Sequence, residues 1–365
     1  MSTTIEEIEK TKTSKDKKDE LLLDSLEIKG YRCFEHLTIE KLGRVNLIVG
    51  KNNVGKTALL EALWIYANSG YSHLMFEILR ERDEIPSLQN GNLLVQPQSS
   101  KGLRNLFFKR PNLEFIPYDY PEWIDNELRI QIGKITDISG DEPKFVDRVL
   151  QITGIRPNSD SNDDVPQTRT IPTFGRKINN FYVKATGIKN EKLIEFWDIV
   201  TLTPLEDKVI NALHLLLPKL NRIDFIGYPN GSENRVPVVR VSDEKERVPL
   251  KSFGEGMTRL LGLSLALVQC EDGMLFIDEI ESGLHYSTLL GVWRLIFNTA
   301  RELNVQVFVT THSSDCVKAF QRAAEEDKED EGMLIRLARK GDKIKAILFD
   351  EKELETVVEN DIEVR

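Results

Sequence analysis

The residues best suited to chemistry in this 365-residue chain fall in short clusters of charged, hydroxyl and glycine residues beside apolar runs. The first is Gly50 to Thr57, G-K-N-N-V-G-K-T, between the apolar run "VNLIV" and the helix-like "KTALLEALWIYANSG". Gly50 and Gly55 let the backbone through Lys51, Asn52, Asn53 and Val54 turn its N–H groups onto phosphate oxygens. Lys56 adds a positive charge near the β- and γ-phosphates, and Thr57 offers a hydroxyl to Mg²⁺. The helix that follows aims the positive end of its dipole at the same anion. A fortuitous glycine turn is the competing reading, and placement between a strand and a helix disfavours it.

The second cluster is "MLFIDEIESGLH", residues 274–285. Four apolar residues followed by Asp278 and Glu279 put two carboxylates at the C-terminal end of a buried strand, where α/β sheets present their chemistry. Asp278 suits the coordination shell of Mg²⁺. Glu279 suits acceptance of a proton from an attacking water. A solvated strand end is the plainer reading of the pair alone. The third cluster, "FVTTHSS", ends another apolar run with His312, whose imidazole could touch a γ-phosphate or position water, or could be structural. The fourth, "KSFGEGMTRLLGL", sets Ser252, Gly254, Glu255 and Gly256 before an apolar helix. It is a second anion cradle or an ordinary helix start.

These clusters need elements to hold them. "SLEIKGYRCFEHLTIEKLGRVNLIVG" alternates apolar positions and predicts three short strands, the last running into the phosphate loop. "GMLFIDEI" and "VQVFVTTHS" are buried strands separated by the amphipathic "STLLGVWRLIFNTARELN", the pattern of a parallel βαβ unit. "GEGMTRLLGLSLALVQC" predicts a helix, and "RLARKGDKIKAIL" a hairpin turning at Lys340-Gly341-Asp342, followed by a short helix. From about Tyr71 to Arg240 the texture is loop-like, with strands at "ELRIQIGKI" and "VPVVRVS" and a helix at "LEDKVINALHLLLPKL" ending near Pro218. No heptad repeat appears there, so a compact insertion is expected and not a long coiled coil.

The net charge of −10 argues against a uniformly basic nucleic-acid binder, though it leaves room for a local basic groove. Cys33, Cys270 and Cys316 are widely spaced and suggest a reducing compartment. No apolar run reaches the ~18 residues of a membrane span, and residues 1–22 are polar and charge-dense, which reads as a disordered tail. A cytoplasmic protein without a membrane partner is the expectation.

Taken in order, Gly50–Thr57, "SFGEG", "LFIDE", "SGLH" and "TTHS" resemble the ATP-binding-cassette type of ATPase. More closely they resemble the RecF/SMC/OLD branch, whose members begin with a strand like "LEIKGYRCF" and carry loops like "GKNNVGKT". The resemblance covers about residues 24–70 and 245–320. It implies an α/β fold, an ABC-type P-loop head with mixed N-terminal strands, a parallel-sheet core and flanking helices. The head would comprise residues 23–70 and 241–365, with an inserted lobe over 71–240. It further implies ATP and Mg²⁺ held between two heads of a homodimer or higher oligomer. Each head would offer Lys56, Thr57, Asp278 and Glu279 in cis and "SFGEG" in trans, with Ser282 to His285 at the seam and His312 as a switch.

The signature is "SFGEG" and not the transporter "LSGGQ", which disfavours a transporter subunit. The family's Q-loop glutamine should lie in the insertion, where Gln96 and Gln131 are the candidates. OLD nucleases append a TOPRIM domain with a D-x-D pair, and "LFDEKELE" contains none, so an in-chain nuclease is not expected. The resemblance therefore implies a head that controls a separate nuclease or TOPRIM-type effector, as stand-alone heads often do in phage-defence or toxin–antitoxin-like systems. Two other readings stand beside it. One is a RecF-like repair ATPase that clamps DNA, with "FFKRP" and "RKGDKIK" as basic candidates. The other is a scaffold in which ATP is structural and hardly hydrolysed, against which Glu279 argues.

Overall fold

A computed structural model describes residues 21–70, 72–85, 102, 104–110, 127–134, 150–155, 169–171, 178–227, 235–242, 246–326 and 331–349. The N-terminal tail through residue 20, Gln96 and the short helix expected after Phe349 lie outside the described residues.

The chain opens with β1 (Leu26–Tyr31), β2 (Phe34–Ile39) and β3 (Val45–Val49), then α1 (Lys56–Ala67) and α2 (Ser72–Glu81). Strands β4 (Glu127–Gly133), β5 (Leu150–Ile155), β6 (Arg169–Ile171) and β7 (Asn180–Val183) follow, then helices α3 (Asn190–Val200) and α4 (Pro204–Leu213). Next come β8 (Leu220–Gly227), β9 (Arg235–Val241), β10 (Val248–Pro249), α5 (Glu255–Gln269) and β11 (Met274–Ile277). The described chain closes with α6 (Leu289–Glu302), β12 (Gln306–Thr310), α7 (Ser314–Glu326), β13 (Gly332–Lys340) and β14 (Lys343–Phe349).

A six-stranded sheet in the order β14-β13-β3-β12-β11-β7 carries the phosphate loop and both carboxylate and histidine loops at one end. All its neighbouring pairs are parallel except the β13–β14 hairpin. Every residue of β3, β11 and β12 is buried, as expected of parallel strands covered on both faces. The expected βαβ unit is β11–α6–β12, paired from Met274–Gln306 to Ile277–Val309. On one face, β3, β11 and β12 point Leu47, Leu275, Ile277 and Val307 into a core shared with α3–α7 and β8–β9. On the other, Ile48, Phe276 and Phe308 pack against α1, α2 and the antiparallel sheet β2-β1-β4-β5-β6. Helix α1 is sandwiched between the two sheets, which is why ten of its residues are buried.

Several elements depart from the sequence reading. Helix α4 stops at Leu213 and not near Pro218. Tight turns follow, with Leu216 and Leu217 both donating to the Leu213 carbonyl. Pro218 disfavours a helical Leu217, and β8 starts at Leu220. Within 71–240 the chain also forms α2, α3 and β8, and β7 stands in the central sheet beside β11. Gln131 lies in β4 opposite Lys29 of β1, in the antiparallel sheet and not beside the phosphate loop.

Candidate nucleotide site

The loop from Gly50 to Thr57 joins β3 to α1 through backbone that side chains rarely adopt. Gly50 has φ 147°, Asn53 φ 60° and Gly55 φ 105°. A Cβ on Gly55 would lie 2.6 Å from Cys33 Sγ, so glycine is also required sterically. Lys56 is buried and folds back, its Nζ donating to the carbonyls of Gly50 (2.6 Å) and Lys51 (3.2 Å). Burial pulls its ammonium pKa below the usual lysine range, opposed by the carboxylates of Asp278, Glu279 and Glu281. An incoming phosphate would replace those carbonyl partners and favour the charged form.

The end of β11 brings its carboxylates to this loop. Thr57 Oγ1 lies 3.4 and 3.5 Å from the Asp278 carboxylate oxygens. A hydroxyl and a carboxylate at this spacing, beside a phosphate loop, form an all-oxygen donor set suited to Mg²⁺ that keeps several of its waters. Thr310 Oγ1 donates to Asp278 Oδ1 at 2.6 Å and accepts the Glu279 N–H at 2.9 Å, orienting both acids. Glu279 takes φ 47°, an uncommon conformation for a non-glycine residue. Its carboxylate has light partners, Ser282 Oγ at 3.4 Å and His312 Nε2 at 3.5 Å. That leaves it free to meet a water.

Glu279, Thr311, His312 and Ser313 line one cleft with Gly50–Asn53 and Gly55–Thr57, of about 1270 Å³. Such a volume admits a nucleoside triphosphate. Arg32, Arg82 and Arg110 stand on its wall, with Glu84 and Asn105. Arg32 is anchored by Glu61 and Glu84, both at 2.9 Å. The expected residues Lys56, Thr57, Asp278, Glu279 and His312 are thus brought together. Ser252, Gly254, Glu255 and Gly256 are not: the start of α5 lies outside this cleft, with Ser252, Phe253, Gly254 and Glu255 exposed. Gly283, of the Ser282–His285 segment, packs near that start, its carbonyl 3.1 Å from where a Gly256 Cβ would be. Tyr286 beside it is exposed.

Sequence reasoning passed over three groups. Glu281 accepts from Thr311 Oγ1 and from the His312 N–H, both at 2.7 Å, and so holds the histidine loop. It stands in "DEIE", a third acid that could have been weighed with the first two. Thr310 stands in plain view in "TTH". Arg259 is buried against the carbonyls of Asp278 and Glu279, and nothing in its apolar helix signals that.

Among known proteins, an ATP/GTP phosphatase of Helicobacter pylori is 24% identical over 354 residues, 84% of this chain and 89% of that protein. The DNA replication and repair protein RecF of Bacillus mycoides is 38% identical over 47 residues, 13% of this chain and 12% of RecF. Among solved structures, the Smc head bound to the C-winged helix domain of ScpA superposes with a TM-score of 0.53 at 13% identity, covering 91% of this chain and 99% of that one. A Pyrococcus furiosus Smc head domain with an extended coiled coil, bound to the C-terminal domain of ScpA, gives 0.50 at 13% identity over 93% and 99%. The fold is that of an SMC-head-like P-loop ATPase, as the resemblance implied. The model of the AAA ATPase domain matches residues 22–133 and 156–317, so the chain belongs to that ATPase family.

Proposed function

We propose that this protein is an Mg²⁺-dependent ATPase head of the OLD/RecF/SMC type, working as a nucleotide-gated homodimer or higher oligomer. The observation that carries the reading is the convergence of Lys56, Thr57, Glu279 and His312 on one cleft, with Asp278 against Thr57, while "SFGEG" lies outside it. In this reading Lys56 and the loop amides hold the triphosphate, and Thr57 and Asp278 hold Mg²⁺. Glu279 takes the proton of the attacking water and His312 positions it. Ser252, Gly254, Glu255 and Gly256 of a second head close over the γ-phosphate. Similarity to an ATP/GTP phosphatase along most of the chain supports hydrolysis. The head would drive a separate nuclease or TOPRIM-type effector in phage defence, and the occurrence of related heads bound to a partner domain supports a partner-directed role.

The test is turnover and size exclusion with ATP and Mg²⁺. Wild type should hydrolyse ATP, and Glu279→Gln should lower turnover by about 10²–10⁴-fold and accumulate the dimer. Lys56→Ala should abolish both hydrolysis and the dimer shift. Equal, slow hydrolysis by wild type and Glu279→Gln would favour the scaffold reading. Two observations favour the RecF-like alternative: Arg110 lines the cleft, and Arg339 of the β13–β14 hairpin donates to the Asn53 carbonyl at 3.4 Å. Steeply salt-dependent duplex binding by the ATP-bound protein would support it.

A further inference from the structure

We infer that Arg259 is a positioning residue, a strut that fixes the backbone of Asp278–Glu279 and ties it to the helix opening at "SFGEG". Arg259 lies on the first turns of α5, three residues after Gly256. Its Nη1 donates to the Lys184 carbonyl at 2.6 Å, and its Nη2 donates to the carbonyls of Asp278 (3.3 Å) and Glu279 (3.2 Å). One guanidinium therefore gathers the ends of β7 and β11 onto the signature helix.

Two features separate this from ordinary capping. Arg259 is only 7% exposed, and its buried Nε has no hydrogen-bond partner among the described residues. A buried, incompletely satisfied charge is a poor way to gain stability, since an apolar side chain of similar volume fills the space at less cost. Burial does press its pKa down from the usual arginine range, against the raising effect of Glu281, Asp278 and Glu279. The second feature is what the strut holds. Glu279 is in a left-handed conformation, and among the described residues its carboxylate has only the long contacts to Ser282 and His312, so its aim depends on its backbone. Gly283 approaches Gly256 and Arg259 together, which packs the segment after Glu279 on the same turn of α5. A partner nucleotide that draws the "SFGEG" turn toward itself would move the guanidinium, and with it the carbonyl of Glu279. Contact in trans would thereby set the aim of the base in cis.

The inference rests on the ATPase reading for its consequence, and the experiment keeps the two apart. In the full-length chain, Arg259→Met should lower kcat for ATP about tenfold to a hundredfold, with KM and the affinity for a fluorescent ATP analogue within about twofold. Arg259→Lys, which keeps a donor on the carbonyls, should recover part of kcat. A wild-type kcat in Arg259→Met, or a loss confined to KM, would overturn the strut. So would a loss that tracks a fallen melting temperature and that lysine does not rescue. If wild type and Glu279→Gln turn over alike, the hydrolytic reading falls and hydrogen exchange judges the strut alone. Faster exchange in Arg259→Met confined to residues 278–283 and 184–187 sustains it, and unchanged exchange there overturns it.

Discussion

The two glycine-bearing loops of this protein are built in opposite ways. At the phosphate loop the core closes in from behind, while Lys51, Asn52 and Asn53 face the cleft: Gly55 meets Cys33 and Phe34, Gly50 meets the Leu337 carbonyl, and Lys56 is buried. At the signature loop a Cβ on Gly254 would meet no described residue within 4 Å, and Ser252 and Phe253 are exposed. The first loop is preorganised by its own chain, so its anion-binding shape is present before any ligand arrives. The second is anchored at its start by buried Leu250 and behind by the helix, and its outward face is open. A site finished on one side and open on the other fits a division of labour between two chains.

The sharpest way to break that contrast is one substitution in each loop. Gly55→Ala adds a clash to a φ of 105°, so it should cost about 3 kcal/mol and abolish ATP binding by isothermal titration. Gly254→Ala has a similarly unfavourable φ of 98° but open space, so about 1 kcal/mol of strain is expected with ATP affinity kept. Equal losses of affinity would mean that both loops belong to one chain's site.

A smaller effect should come from Thr310→Val, which removes the hydroxyl shared by Asp278 and the Glu279 N–H. The Mg²⁺ needed for half-maximal turnover should rise about tenfold, as is usual when a group that orients a metal ligand is lost. An unchanged Mg²⁺ titration would place the metal elsewhere.

The smallest effect concerns thiol access at the closed loop. Cys33 is half-buried on the cleft wall, whereas Cys270 and Cys316 are buried. Burial pushes the Cys316 thiol up to about 12 and raises Cys33 as well. Since the thiolate is the reactive form, maleimide labelling of Cys33 should keep accelerating with pH beyond the ordinary thiol range. Mass spectrometry should find Cys33 modified well before the other two, and ATP should slow it. Labelling of Cys316 at the same rate would show that its side of the sheet opens.

The phosphate loop was legible because its requirement is local: two glycines, a lysine and a threonine at fixed spacing between a strand and a helix. Strands β11 and β12 were legible for the same reason, since parallel strands buried on both faces need unbroken apolar runs. Strand β7 was not. Its four residues, "NFYV", follow polar sequence and carry too little pattern to announce a place in the central sheet. Gln131 was a plausible glutamine by position along the chain, and pairing with β1 sets it in the antiparallel sheet, where it does not line the cleft.

Residue types and spacing alone determined that a P-loop sequence, two strand-end acids and a histidine were present, because these signals are short-range and survive without knowledge of packing. Tertiary structure decided which of them meet. Thr57 and Asp278 are 221 residues apart in sequence, and only the β3–β12–β11 order sets them 3.4 Å apart. Arg259 is one charge near the start of an apolar helix until burial and three carbonyls give it a task. Hydrogen-bond partners of a buried cation are chosen by the strands that end around it, and no local pattern in one helix encodes where those strands end.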